Sequence, residues 1–295
     1  MKFGQVSDVN TIAFFLPKDH PETGIVLQRS TMTKSTLNCH IGFAKWDRKY
    51  LGQFYPKGTG KKDLEYYSDV INCIEMNAFY YRIFPPEMVR KWYDRTSLNF
   101  TFCPKLPQSI TQFRRLKDCD DHVTKYVNSI NHFKEKLGTC FIQMHESFKP
   151  EKMDDLSSFI SKWPDDVPLA IELRHSDWYN DATVALKLYK LFEKYNITNI
   201  LTDTPGRRDL IHMRLTSSSA FIRFTGANHS SDYKRLDDWV ERIKEWTELG
   251  LQNLYFFIHQ PNGHENMDAY NHFIKALREA VGIERPLTQL PTRVK

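Results

Sequence analysis

From residue 38 onward, short apolar and β-branched runs alternate with stretches in which apolar residues return every three or four positions. The short runs are typical of strands buried in a parallel sheet, and the longer period is typical of amphipathic helices. Eight strands are predicted at residues 38–44, 70–77, 98–105, 140–144, 168–174, 197–203, 220–226 and 253–260. Helices are predicted at residues 87–95, 120–137, 181–195, 235–249 and 267–280.

Eight βα units over about 245 residues indicate a (β/α)8 or TIM barrel, an α/β fold in which helices surround a closed parallel eight-stranded sheet. A doubly wound open sheet is the alternative, but eight consecutive units favour closure. Two helix ends agree with the pattern. Pro85 and Pro86 suit a first helical turn, and Gly138 suits the C′ position after the helix over 120–137.

The same rhythm divides the chain into three parts. Residues 1–37, with a polar run at 30–36, fall outside it and are predicted to be an N-terminal extension packed on the barrel. Residues 38–283 form the predicted barrel domain, and residues 284–295 form a short C-terminal tail.

Composition and charge narrow the class of protein. Hydrophobic residues make up 41% and charged residues 26% of the chain, which is globular composition, and no apolar run approaches the ~18 residues of a membrane span. Asp8 and Asn10 interrupt the N-terminus before an apolar export segment forms, so a cytoplasmic protein is expected. The net charge of +5 is interspersed, which permits a polyanionic partner without indicating one. Five cysteines without a C-x-x-C pair are predicted to be reduced core thiols.

Polar and aromatic side chains collect at or just after the predicted strand ends, where a barrel carries its functional face. The candidate site residues are Trp46, Glu75, Asn77, Tyr81, Arg82, Lys105, Gln143, Glu172, Arg174, His175, Trp178, Asp203, Arg223 and His259. Residues two apart on a strand share a face, so Glu75, Glu172 and Arg223 are predicted to point into the barrel mouth. Their neighbours Met76 and Phe224 are apolar and are predicted to face the helices.

These residue types favour an enzyme that acts on a small anionic ligand. Arginine matches phosphate and carboxylate groups with a planar fork, so Arg174 and Arg223, with Lys105, are predicted to hold the ligand. Glu75, Glu172 and Asp203 are the predicted catalytic carboxylates, with pKa values driven apart so that one is protonated and one ionised. That arrangement suits hydrolysis or isomerisation, and the sequence leaves both open.

Other interpretations of the same residues remain. The pairs Glu172–Arg174 and Glu75–Arg223 suit a purely structural ion network inside the barrel. Glu172, Asp203, His145 and His259 are metal-ligand types, but arginines beside them would already neutralise the carboxylates, so no metal and no cofactor are expected. A nucleic-acid binder without turnover would use the arginines with Trp46, Tyr80 and Trp178 as stacking faces. The oligomeric state is left open.

A series of motifs at these strand ends resembles the YecE-like family (DUF72). The motifs are Trp46 with Phe54-Tyr55-Pro56, Glu75-Met76-Asn77, Lys105-Leu106-Pro107, Gln143 with Ser147-Phe148, Glu172-Leu173-Arg174-His175 with Trp178, Asp203 with Pro205, and Arg223 with Gly226. The resemblance covers about residues 40 to 280 and implies the barrel and the rim residues, without an established reaction. It also implies a distant likeness of fold to xylose isomerase and endonuclease IV, and DNA binding as a candidate property. The sequence departs from the family pattern at Lys45, His145, Glu146, Thr225 and His259-Gln260.

Overall fold

A computed structural model of the chain describes residues 4, 6–29, 36–58, 60–261, 266–281, 283, 288 and 290. Within these residues the protein has nine strands, and every strand pairing is parallel. The strands are β1 (Asn38–Phe43), β2 (Cys73–Met76), β3 (Thr101–Pro104), β4 (Cys140–Gln143), β5 (Leu169–Glu172), β6 (Thr198–Asn199), β7 (Leu201–Asp203), β8 (Ser219–Thr225) and β9 (Asn253–His259).

Helices lie between the strands, as the alternating pattern predicts. The α-helices are α1 (Glu22–Gln28), α2 (Arg48–Leu51), α3 (Asp63–Val70), α4 (Ala78–Tyr81), α5 (Pro86–Asp94), α6 (Asp120–Ile130), α7 (Met153–Ser161), α8 (Asp177–Asn180), α9 (Ala182–Lys194), α10 (Ser231–Leu249) and α11 (Asn266–Ala280). Short 3-10 helices cover Val9–Thr11, Gly52–Phe54, Gly60–Lys62, Asn131–Lys136, Pro150–Lys152 and Pro205–Leu210, and Ser109–Phe113 forms a π-helix. No helix in this part of the chain is long and apolar enough to cross a membrane.

The strands form two parallel sheets. Six strands lie in the order β3-β2-β1-β9-β8-β7, and three lie in the order β4-β5-β6. Each of the eight predicted strand positions contains a strand, but the predicted strand at 197–203 is divided into β6 and β7 at Ile200, so the structure assigns two sheets instead of one closed sheet. The sheets approach each other at β3 and β4, where Lys105 and Phe141 form an isolated parallel bridge.

The predicted end of the helix over 120–137 is wrong. Helix α6 ends at Ile130, and a separate 3-10 helix follows before Gly138. Gly138 does not adopt a left-handed backbone conformation; a Cβ added there would lie 2.4 Å from the Thr101 Cγ2 atom and 2.9 Å from the Cys103 Sγ atom. Glycine is needed at this position because the backbone passes close to β3, not because it caps a helix.

Side-chain alternation along the strands separates two apolar cores. An inner cluster takes residues from strands of both sheets and from the junction between β6 and β7: Cys73, Cys103, Phe141, Ala170, Ile200, Phe221, Tyr255 and Phe257. The larger outer core lies between strands and helices and includes Met76, Leu173 and Phe224, as predicted from their positions next to polar residues. All five cysteines are buried free thiols.

The described part of residues 1–37 contacts the rest of the chain, and the division into an extension and a domain stays a prediction. Asp19 accepts a hydrogen bond of 2.7 Å from the indole nitrogen of Trp246 on α10. Nearer the N-terminus, the Gly4 carbonyl accepts a hydrogen bond of 2.9 Å from the backbone N–H of Gly206, just after β7. The extension therefore reaches the carboxyl end of the strands. Of the predicted tail at 284–295, only residues 288 and 290 are among the described residues.

Candidate functional site

Six polar side chains form a layer next to the inner cluster. Each of them lies two positions along the chain after a residue of that cluster. The members of this polar layer are Glu75, Lys105, Gln143, Glu172, Arg223 and His259. Because successive side chains alternate between faces, a residue two positions after an inner-cluster residue faces the same interior. The prediction that Glu75, Glu172 and Arg223 share this face agrees with their mutual hydrogen bonds.

Arg223 is the centre of the polar layer and binds both carboxylates. Its Nε and Nη2 atoms donate to Glu75 Oε2 and Oε1, each at 2.9 Å, in a two-point contact. Its Nη1 atom donates to Glu172 Oε2 at 2.5 Å. Both carboxylate side chains are almost completely buried, with exposed fractions of 0% and 2%. Charge-assisted pairs of this kind satisfy buried carboxylates that would otherwise be very costly.

Glu172 connects Arg223 to a second chain of hydrogen bonds. Arg174 Nε donates to Glu172 Oε1 at 2.5 Å, so one carboxylate lies between two guanidinium groups. Gln143 Nε2 donates to Glu172 Oε2 at 3.1 Å, and Lys105 Nζ donates to Gln143 Oε1 at 2.8 Å. Glu172 therefore offsets the repulsion between Arg174 and Arg223 without a bound anion.

Glu75 carries two further partners on its open side. His259 Nε2 lies 2.9 Å from Glu75 Oε2, and the Asn77 amide donates to Glu75 Oε1 at 3.0 Å. The His259 side chain is 21% exposed, whereas Glu75 is fully buried. A carboxylate in this position orients the imidazole and favours the tautomer with the proton on Nε2.

Both buried carboxylates are held ionised. Burial by itself would raise the pKa of Glu75, but Arg223 and His259 outweigh burial and hold it well below its usual value. Burial likewise opposes ionisation of Glu172, yet Arg174 and Arg223 lower its pKa to about 2. The expectation that one carboxylate is protonated and the other ionised is therefore wrong for this pair, because one arginine lies between them.

Asp203 is not part of the polar layer. It faces α10, where Arg235 Nη2 donates to its Oδ1 at 2.6 Å and Trp239 Nε1 donates to its Oδ2 at 2.8 Å; Arg208 also contacts it. Since Ile200 belongs to the inner cluster, alternation turns Thr202 inward and Asp203 outward. The prediction that Asp203 acts with Glu75 and Glu172 is thus wrong in its geometry.

Two cavities open at the carboxyl ends of the strands, and each is lined by one member of the polar layer or its direct partner, His259 or Arg174. The Arg174 cavity has a volume of about 410 Å³ and is lined by His145, Glu146, Ser147, Lys149, Arg174, His175, Ser176 and Arg207. The His259 cavity has a volume of about 580 Å³. It is lined by Gly4, Val6, Val9, Ala44, Lys45, Tyr50, Pro205, Thr225, Gly226, Ala227, His259, Gln260 and Pro261.

Sequence reasoning missed Arg207 and Lys149, which bring positive charge to the Arg174 cavity. Arg207 follows β7, and its Nη2 atom donates to the backbone oxygen of Arg174 at 3.1 Å and to Asp209 at 2.9 Å. Both residues lie in loops after strands, the part of a barrel-like fold where ligands collect. That position in the loops is the signal by which the sequence indicates these two residues.

Several predicted ligand-binding aromatic residues have packing roles instead. Trp178 is fully buried and donates its indole N–H to the Phe148 carbonyl at 2.7 Å. Trp46 packs edge-on against Trp92, with ring centres 6.4 Å apart. Tyr81 is 73% exposed. Burial therefore removes Trp178 from any ligand, whereas Trp46 is half-buried and Tyr81 is exposed.

The remaining predicted residues divide between packing and the cavities. The Arg82 guanidinium lies 4.5 Å from the centre of the Phe84 ring, and His175 lines the Arg174 cavity. Within the residues that the structure describes, no three histidine, cysteine, aspartate or glutamate side chains form a group able to hold a metal ion. The absence of a metal or cofactor stays a prediction.

Comparison with known proteins identifies the family. The sequence pattern described as "Protein of unknown function DUF72" matches residues 40–293. UPF0759 protein YecE from Escherichia coli, strains K12 and O157:H7, is 24% identical over 244 residues, which cover 76% of this chain and 86% of the relative.

Solved structures show the same fold. A crystal structure of a DUF72 family protein from Enterococcus faecalis V583 superposes with a TM-score of 0.67 at 18% identity, over 87% of this chain and 100% of that one. A second structure of that protein gives 0.65, also at 18% identity, over 83% and 99%. On the match that spans residues 40–293, the chain belongs to the DUF72 family.

Proposed function

We propose that this protein is an enzyme that acts, without a metal ion, on a small ligand bearing a phosphate or carboxylate group at the carboxyl ends of its strands. The observation that carries the proposal is the position of Arg174. Its Nε atom joins the polar layer through Glu172, and the same side chain lines the Arg174 cavity. A ligand in that cavity would therefore contact a group held in place by a rigid buried network.

The charge of the cavity supports an anionic ligand. Its lining contains three cations, Arg174, Arg207 and Lys149, and one carboxylate, Glu146. Arg174 and Arg207 also pair with Glu172 and Asp209, which do not line the cavity. Guanidinium groups fit phosphate and carboxylate oxygens in a planar, two-point geometry. His145 and His175, which also line the cavity, add imidazole nitrogens that can form hydrogen bonds with a ligand.

As part of this proposal, the two sheets close into one eight-stranded barrel. The inner cluster joins residues of both sheets in a single apolar core. On one side, Ile200 lies between β6 and β7, and its N–H donates to the Ile171 carbonyl at 3.0 Å. On the other side, Leu106 N–H donates to the Phe141 carbonyl at 2.9 Å across the gap between β3 and β4. Closure would gather all strand ends around one mouth.

The acid–base roles must shift from the carboxylates to their partners. Glu75 and Glu172 are ionised and buried, so they orient Arg223, Arg174 and His259 rather than donate protons. His259 lines the second cavity and is oriented by Glu75, so its imidazole is placed to transfer a proton to or from a ligand there. Hydrolysis and isomerisation both use such a group, and both remain within the proposal.

Titration with inorganic phosphate tests the proposal. We expect phosphate to raise the Tm of the wild-type protein, and Arg174→Lys to weaken phosphate binding about tenfold, the effect of losing ~1.4 kcal/mol when the planar fork is removed. Arg95→Lys is the matched control, since Arg95 is a surface arginine paired with Glu65. If phosphate gives no thermal shift and Arg174→Lys only destabilises the fold, the arginine is a structural partner of Glu172 and the proposal is wrong.

The alternative of nucleic-acid binding predicts a different dependence on salt. A protein that neutralises several backbone phosphates loses affinity steeply as salt rises, whereas a small-ligand cavity loses little. Binding of a single-stranded oligonucleotide at several salt concentrations separates the two. If the oligonucleotide binds tightly, with a steep dependence on salt that Arg174→Lys does not change, the protein binds nucleic acid at another surface. That result would count against the Arg174 cavity as the binding site.

A further inference from the structure

Lys105 differs from the other charged members of the polar layer. The residue is 7% exposed, and its Nζ atom donates to the neutral amide oxygen of Gln143 at 2.8 Å. The carboxylates of Glu75 and Glu172 are instead engaged by arginines. Among the residues that the structure describes, no carboxylate forms an ion pair with Lys105. A buried amine without a carboxylate partner is unusual, because an uncompensated ammonium ion is very costly away from water.

This environment raises the neutral fraction of the Lys105 amine above that of an ordinary lysine, while the ammonium form still predominates at pH 7. Burial lowers the pKa of Lys105, and the positive charges of Arg223 and Arg174 lower it further. Glu75 and Glu172 oppose that change from neighbouring strands, and the balance gives a pKa of about 8. A lysine that is desolvated next to other cations is an activated nucleophile at neutral pH, because part of it carries a free electron pair.

The position of the amine matches the proposed site. Lys105 directly follows β3, so it stands at the carboxyl end of the strands with the other members of the layer. Its Nζ atom lies 4.5 Å from the ring centre of Tyr80. Gln143 and Glu172 connect this amine to Arg174, which lines the Arg174 cavity, through hydrogen bonds of 2.8, 3.1 and 2.5 Å. An amine and an anion-binding arginine therefore belong to one neighbourhood.

We infer that Lys105 forms a Schiff base with an aldehyde or ketone that also carries an acidic group, the acidic group binding near Arg174. The inference rests on the proposed function for its anion site and adds the chemical class of the substrate. A carbonyl carbon held between a nucleophilic amine and an arginine would be positioned by its own charged end.

The covalent step balances without an oxidant or reductant. The Lys105 Nζ electron pair attacks the carbonyl carbon, a C–N bond forms, and one proton moves from nitrogen to oxygen to give a carbinolamine. A further proton converts the hydroxyl into water, the C–O bond breaks, and the product is a cationic iminium ion with one N–H. Gln143 Oε1 is placed to accept that N–H, and the negative charges of Glu75 and Glu172 stabilise the cation.

Lys136 supplies an internal control. It is also buried, at 3% exposure, and burial also lowers its pKa. Its amine, however, donates to the Tyr93 and Thr96 carbonyls at 2.6 and 2.8 Å and to the Thr96 hydroxyl at 3.2 Å. It lies in the 3-10 helix before β4, at the amino end of the strands. Burial therefore lowers the pKa of both lysines, but only Lys105 lies at the carboxyl ends of the strands with the polar layer.

Reductive trapping tests the inference on the full chain. The protein is incubated at pH 7 with pyruvate or with its uncharged methyl ester, in the presence of sodium cyanoborohydride, and adducts are located by peptide mass spectrometry. A pKa of about 8 leaves roughly a hundredfold more neutral amine than an ordinary lysine near ~10.4, so we expect at least about tenfold more adduct at Lys105 than at exposed lysines. Lys136 should carry none in excess of them, and Lys105→Met should lose the adduct that Lys136→Met retains.

The outcomes separate this inference from the proposed function. Labelling spread over exposed lysines without enrichment at Lys105 overturns the Schiff-base inference, even if phosphate binds at the Arg174 cavity. If both carbonyl compounds label Lys105 strongly, and neither phosphate nor Arg174→Lys changes the labelling, Lys105 is a nucleophile but the proposed anion site is wrong. If Lys105 is labelled more strongly by pyruvate than by the methyl ester, and phosphate reduces that labelling, both the Schiff-base inference and the proposed anion site are supported. Because the wild-type labelling pattern decides the question, poor folding of a variant does not leave it open.

Discussion

Two buried clusters of charged side chains lie on opposite faces of the parallel sheets. The polar layer faces the interior, whereas the Asp203 cluster faces helix α10; that cluster consists of Asp203, Arg208, Asp232, Arg235 and Trp239. Thr202 and Asp203 are neighbours on β7, so alternation directs one side chain to each region. One step along a strand therefore separates two environments built from the same residue types.

The two clusters differ in how completely their charges are matched. In the Asp203 cluster every charged side chain has a partner of opposite charge, and Arg235 pairs with Asp203 at 2.6 Å and Asp232 at 3.0 Å. In the polar layer, Lys105 meets a neutral amide, and His259 lines a cavity. Burial and ion pairing are common to both clusters and do not distinguish them. The polar layer differs because the Lys105 amine has a neutral hydrogen-bond partner and His259 reaches a cavity.

The largest effect is expected from Arg223→Met, which leaves two buried carboxylates without their shared partner. Breaking one buried pair costs 3–5 kcal/mol in typical proteins, so we expect the free energy of unfolding to fall by about 5 kcal/mol. Urea unfolding measures it, with Arg95→Met as a surface control expected to cost at most ~1 kcal/mol. A loss for Arg223→Met no larger than that of the control would mean that the polar layer is not the buried network described above.

The next largest effect is expected from Asp203→Asn, a substitution in the Asp203 cluster. It leaves Arg235 and Arg208 without their carboxylate under α10, and we expect a loss of about 4 kcal/mol in the free energy of unfolding. Phosphate affinity should nevertheless stay unchanged, because Asp203 faces away from both cavities. Arg174→Lys should show the reverse pattern, with weaker phosphate binding and a smaller change in stability. Calorimetric titration measures the phosphate affinity and urea unfolding measures the stability. If Asp203→Asn also lowers the phosphate affinity, the Asp203 cluster is not independent of the Arg174 cavity.

Acid should weaken the polar layer through Glu172. Its pKa falls from a usual value of 4.5 to about 2 on folding, so its ionised form stabilises the folded state above pH 4.5. That contribution is lost as the pH falls through 4.5 towards 2, and at ~1.4 kcal/mol per pKa unit it amounts to about 3 kcal/mol. Unfolding of the wild type and Glu172→Gln between pH 7 and 2 checks this. The stability gap between them should narrow over that window, and a constant gap would contradict the assignment.

The smallest effect is expected from Thr202→Val. The Thr202 hydroxyl is buried in the interior and, among the described residues, has no hydrogen-bond partner. An isosteric methyl group removes an unsatisfied polar atom, so we expect stability to stay the same or rise by up to ~1 kcal/mol. Thermal unfolding measures the change. A clear loss would show that this hydroxyl has a partner in solution and belongs to the polar layer.

The sequence by itself determined the strands and the inward face of most of them. Ile74 and Met76 surround Glu75, and Leu173 follows Glu172, so one parity is apolar and the other is polar. This local contrast is enough to assign faces, because alternation depends only on the backbone. It predicted that Glu75, Glu172 and Arg223 share the interior, together with the positions of Lys105, Gln143 and His259 at strand ends.

The same rule gave no answer for Asp203. Between Thr198 and Asp203, polar and apolar residues occur on both parities, so the pattern does not show which face is buried against helices. Only packing decided it, because Ile200 joins the inner cluster and Arg235 of α10 reaches Asp203 from the other side. The predicted role of Asp203 failed for that reason.

Tertiary structure alone decided which charges meet. Arg223 and Glu75 are separated by 148 residues, and Arg207 and Arg174 by 33, so no local pattern reveals these contacts. The placement of one arginine between two carboxylates set both pKa values low and removed the predicted protonated acid. It also left Lys105 with an amide instead of a carboxylate. Residue types and alternation are local properties of the chain, whereas ion pairing, desolvation and cavities depend on what the fold brings together from distant segments.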